Sequence, residues 1–160
     1  MTMELKGSRN VTPLVATQFG EYYADVSPDG RWIAYQYLES DPSHIVVRPF
    51  PNVQTGRWQV STTGGRHPVW SRSGRELFYI DLEGRLTSVA IETTARFRAA
   101  TPQTILERSY FEPIGVRAYD VSRDGRRFLM IKEADSSTSG PQVIVVLNWT
   151  EELKRRVPVN

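Results

Sequence analysis

Cysteine is absent from the 160 residues, and this excludes disulfides, thiolate metal sites and cysteine nucleophiles together. Long hydrophobic runs are absent as well. The longest, VIVVL at 143–147, is strand-sized, far short of the roughly 18 apolar residues of a membrane-spanning helix, so no membrane insertion is expected. An excess of one charge is also lacking: 20 basic and 18 acidic residues leave +2. A pI near 9.0 therefore carries no nucleic-acid signature, which takes a clustered basic surplus. The opening MTMELKGSRN has no apolar segment of a secretory signal, and the chain as it stands reads as cytoplasmic. Neither a G-x-S-x-G elbow, an H-E-x-x-H pair, a Walker loop nor a dinucleotide fingerprint occurs.

What the chain does have is a repeat. SPDGRWIAYQ (27–36) returns as SRSGRELFYI (71–80) and SRDGRRFLMI (122–131). Ser27, Ser71 and Ser122 align, as do Gly30, Gly74 and Gly125, and Arg31, Arg75 and Arg126. Spacings in the forties and low fifties fall where propeller blades repeat. The turn chemistry is explicit. Pro28 presets φ at the second position, Ser27 offers a hydroxyl to the backbone, and Gly30 takes the left-handed conformation at the fourth. Beyond each turn stands a short run rich in aromatic and β-branched residues, of the kind buried on both faces of a sheet.

The units fill out with further strand-like runs: His44–Phe50 and Arg57–Thr62 in the first, Leu86–Thr93 and Gln103–Arg108 in the second, Gln142–Trp149 in the third. Strands before each turn are expected at Glu21–Val26, Arg66–Trp70 and Arg117–Val121. The exception to this pattern is NWTEELKRRVP. Asn148 can cap a helix with Glu151 as its capping-box partner, and Pro158 stops it. The expected organisation is a flexible terminus or cloning scar at 1–9 and one domain at 10–160. Within the domain fall an outer strand at 10–16, units at about 22–62, 66–108 and 117–149, and a short helix at 150–157.

SPDGRWIAY, GGRHPVWSRSGRELFY and YDVSRDGRRFLMI resemble the PD40, or TolB-like, β-propeller repeat (a WD40-like repeat). The closing PQVIVVLNWTEELKRRVP is similar to the end of propeller domains in bacterial sensor proteins, some of them fused to serine/threonine kinases. Arg72 and Arg123 stand where that family usually has Pro, and Ser73 where it has Asp. The resemblance implies an all-β propeller of three four-stranded blades per chain with a short C-terminal helix. It also implies a role as a binding or interaction module. In a longer sensor such a module would work outside the cytoplasm.

Three blades do not close a ring, since propellers close with four to eight. The segment SRNVTPLVAT (8–17) occupies the place before the first unit that RWQVSTT (57–63) holds before the second. The third unit, in turn, runs from its last strand directly into the helix. A head-to-tail homodimer answers both deficits, each copy lending its N-terminal strand to the other's last blade to give six.

In a propeller the first strand of each blade lines the channel. Glu21, Tyr22, Tyr23, Arg66, His67, Arg117 and Tyr119 are the candidate channel residues, expected to hold a protein segment or small molecule, an acidic peptide or small anion in particular. His67 and Glu21 are the candidates for catalysis. An alternative is a calcium-dependent hydrolase of small esters or lactones. Glu21, Asp25 and Asp120 are its candidate metal ligands, in a site where the cation polarises a carbonyl. No cofactor is expected under the first reading. Asp29 and Asp124 are turn residues.

Overall fold

The computed structural model of the chain describes residues 1–3, 9–94, 96–107 and 115–131. These form antiparallel sheets, with a single 3-10 turn at Val53–Thr55 as the only helical piece among the described residues. Two two-residue strands, β1 (Thr2–Met3) and β2 (Val11–Thr12), pair near the amino terminus. The segment expected as a lone outer strand thus finds a partner in the first three residues of its own chain.

The first large sheet is a four-stranded meander of β3 (Gly20–Val26), β4 (Trp32–Leu38), β5 (His44–Pro49) and β6 (Trp58–Gln59). The second runs β7 (Arg66–Trp70), β8 (Glu76–Ile80) and β9 (Leu86–Glu92), and its outer edge is in two pieces. β10 (Arg98–Ala99) pairs with Glu92 and Ile91, and β11 (Gln103–Leu106) pairs with residues 86–88. A single closing strand was the expectation. Pro102 stands between the two pieces and brings no N–H to a ladder. The third sheet is β12 (Tyr119–Val121) with β13 (Phe128–Met130). The strand expected within 142–149 and the helix at 150–157 lie outside the described residues.

The three repeated turns are superimposable in their bonding. Ser27, Ser71 and Ser122 each donate their backbone N–H across the hairpin, to the carbonyls of Trp32, Glu76 and Arg127 at 2.8–2.9 Å. Their hydroxyls each accept the N–H of the same three residues at 3.0–3.1 Å. Gly30, Gly74 and Gly125 close the turns onto the serine carbonyls, with φ of 69°, 67° and 69°. Only glycine takes that left-handed conformation without a steric penalty. Asp29 and Asp124 accept the serine hydroxyl and the N–H of Arg31 or Arg126, as a turn carboxylate does.

The sheets stack face on face in chain order. β4, β8 and β13 occupy corresponding positions, and their alternate residues point to opposite neighbours. Ala34 faces the second sheet, where it packs with Leu77, Tyr79, Val89 and Ile91. Phe78 and Ile80 point the other way and meet Tyr119, Phe128 and Met130 of the third. Trp32, Trp58 and Phe97 close the first junction with ring centroids 5.0–5.6 Å apart. The middle strands are therefore buried on both faces, which is why they read as nearly unbroken apolar runs.

Candidate functional site

The first strands of the three sheets lie side by side, and two of them carry the same irregularity. β3 shifts register between Tyr22 and Asp25, and β7 between Arg66 and Val69. Inside each bulge sits a bulky residue with positive φ, Tyr23 at 53° and His67 at 54°. These are corresponding positions of the repeat. Such a backbone costs an L-residue about 1–2 kcal/mol and persists only where the surroundings hold it. Here they do. The Tyr23 and His67 rings meet edge to face at 4.3 Å, and the Tyr119 hydroxyl donates to the His67 carbonyl at 2.6 Å. One residue from each sheet is thereby tied into a row, and His67 and Tyr119 are buried in it.

The remaining residues singled out from the sequence fall in different places. Glu21 is held at the start of β3, where its carboxylate accepts the backbone N–H of Thr17 at 3.2 Å and the Thr17 hydroxyl. Arg66 donates to the Asp81 carbonyl at 3.4 Å. Tyr22 is about half exposed and its ring covers Gly20. Arg117 and Asp120 are exposed. Among the described residues no three His, Asp or Glu side chains converge as a metal set. Glu21, in the hands of Thr17, is not assembled with Asp25 and Asp120. Within one chain these three do not form a calcium site, and no chemistry is derived through one.

The cavity lies at the other end of the row. A space of about 310 Å³ opens where β3, β7 and β12 finish, lined by Asp25, Trp70, Arg72, Arg117, Asp120 and Val121 among others. Asp25 spans two sheets there: its carboxylate accepts the Trp70 N–H at 2.8 Å. Burial pushes the Asp25 carboxyl above its usual 3.8. The Trp70 N–H and the Arg117 charge pull the other way, and the Asp120 charge adds to the rise. Two arginines and two aspartates thus line the cavity, and both carboxylates already accept a backbone N–H, Asp25 from Trp70 and Asp120 from Val121.

Of these residues, Arg117, Asp25 and Asp120 stood among the candidates and Arg72 did not. Its signal was in the sequence all the same, as a cation in the turn position where the first repeat has Pro28. Tyr23, His67 and Tyr119, the early residues of the inner strands, serve the junctions between sheets and do not line this cavity. No helix among the described residues is long and apolar enough to cross a membrane. No protein-family model matches the chain, and no curated protein matches it.

Proposed function

We propose that the chain is half of a β-propeller of the PD40 type and works as a non-catalytic binding module, two copies completing a six-bladed ring. The observation that carries the architecture is one hairpin built three times in sheets that pack in chain order. The register of Ala34, Phe78 and Leu129 is the same in each, and each turn is built on the same serine.

The ligand site is the cavity at the late ends of the inner strands. Arg72 and Arg117 offer charge-assisted donors, while Asp120 offers an acceptor of opposite sign. A ligand bearing both charges matches that lining better than a simple anion, since an anion would also face Asp120. A charged protein segment is the partner of that chemistry. His67 is buried in packing and Glu21 is bound to Thr17, and neither of these two candidates for catalysis lines the cavity.

The test is an amide NMR titration with three short peptides: one alternating Lys and Glu, one of Glu alone, and one uncharged. The mixed-charge peptide is expected to shift the amides of Asp25, Trp70 and Val121, and Arg117→Ala to abolish the shifts. No response at those amides to any of the three would overturn the assignment of the site.

A further inference from the structure

The bond from Asp25 to the Trp70 N–H recurs as a need throughout the repeat. In each sheet the serine after the first strand bonds across the hairpin, Ser27 to Trp32, Ser71 to Glu76 and Ser122 to Arg127. Antiparallel pairing alternates. The N–H one residue earlier, on Val26, Trp70 or Val121, therefore points to the open edge of its sheet. Trp70 has its acceptor in Asp25 of the preceding sheet. Val121 follows Val69, which has no acceptor to give, and takes the Oδ1 of its neighbour Asp120 at 2.8 Å instead. Val26 begins the stack of the three repeat sheets.

The other end of the stack is its complement. Asp120 corresponds to Asp25 in the repeat, and its cross-strand partner Leu129 corresponds to Ala34. Ile131 likewise corresponds to Ile80. In the first two sheets these positions are pressed against the next sheet: Ala34 is 0% exposed, Phe78 2% and Ile80 5%. In the third, Leu129 is 75% exposed and Ile131 50%. The receiving face of a sheet carries positions 33, 35 and 26 or their equivalents. Leu77, Tyr79 and Trp70 fill them in the second sheet, and Phe128, Met130 and Val121 in the third. In the first sheet they are Ile33 and Tyr35, already buried within the chain, and Val26, which is 41% exposed. Val15 and Phe19 pack against Tyr35 and Tyr37 there.

Resting on the paired-ring reading above, we infer that Asp120 of one copy accepts the Val26 N–H of a second, seating Leu129 and Ile131 against Val26 and the Val15–Phe19 segment that covers Tyr35. By two-fold symmetry the same junction forms twice, and the occupant of each open end is another copy of this chain. A carboxylate has about four lone-pair sites, so the bond from Val121 leaves Asp120 room to accept from Val26 as well. The contact is the Asp25–Trp70 junction repeated between molecules.

The absence of native cysteine makes the test clean. Val26→Cys and Asp120→Cys are made in separate chains, mixed, and oxidised mildly, with the mass of the unmodified protein measured in parallel. The mixture is expected to give a covalent dimer that neither variant gives alone, and Leu129→Lys to reduce the unmodified dimer to monomer while the far-UV spectrum is unchanged. Using separate chains excludes a bond within one molecule. A dimer in solution with no cross-link in the mixture overturns this junction and leaves the ring reading standing. A monomer overturns both.

Discussion

Tyr23 and His67 hold the same left-handed backbone, at φ of 53° and 54°, and their rings touch at 4.3 Å. Equal distortion at corresponding places of two repeats, joined by a contact between them, marks the bulge as part of how successive sheets are fastened. β-Bulges re-aim side chains in this way. Here the re-aimed pieces are the His67 ring toward the first sheet and its carbonyl toward Tyr119 of the third.

At His67, then, alanine and glycine should differ in an unusual direction. Both lose the ring contact, but only glycine relaxes the backbone. His67→Gly is expected to be more stable than His67→Ala by about 1 kcal/mol, whereas in an ordinary strand glycine is the worse of the two. Urea denaturation midpoints of the two variants decide this. Tyr119→Phe, which removes the hydroxyl donating to the buried His67 carbonyl, is expected to cost about 1–2 kcal/mol in the same assay.

The serine hydroxyls of the turns each stand between two partners, one a backbone N–H five residues on. Ser27→Ala and Ser71→Ala are each expected to destabilise by about 1–2 kcal/mol, because both hydroxyls are buried. Ser122→Ala is expected to cost less, since Ser122 is only half-buried and water can replace its hydroxyl. Thermal or urea unfolding of the three variants side by side measures the order.

These turns were the most legible part of the chain, since Ser, Pro or its substitute, Asp or Ser, and Gly act on neighbours within five residues. The middle strands were legible too. Trp32–Leu38 and Glu76–Ile80 are apolar on both faces whatever they pack against. The bulges at Tyr23 and His67 were not, because neither residue type advertises a left-handed backbone. What holds each one there comes from another sheet. The cavity was missed for a related reason. Arg72 belongs to a turn, Asp25 to the first sheet and Arg117 to the third, and only the stacking brings them to one place. The calcium candidates are not brought together within one chain, since among the described residues no three His, Asp or Glu side chains converge.

Acid should act on Asp25 and Asp29 in opposite senses. Burial raises the Asp25 carboxyl above its unfolded value of 3.8, so the folded state binds that proton more tightly. Its contribution to stability therefore declines as pH rises from 3.8 through the raised folded value. For Asp29, burial opposes ionisation but the Ser27 hydroxyl and Arg31 outweigh it, and the carboxyl falls below 3.8. Its contribution is present above 3.8 and fades as pH drops through the lowered value. Between acidic and neutral pH, Asp25→Asn is expected to gain on the unmodified protein and Asp29→Asn to lose ground. Denaturation at a series of pH values reads both slopes.

The central claim is that three like sheets are stacked with complementary open ends, so that a single copy is half a closed body. Sedimentation equilibrium at micromolar concentration tests it most directly. The account predicts the mass of two 18.3 kDa chains, with no trimer or longer series as concentration rises, because two junctions close the ring. A mass of one chain across that range would contradict it.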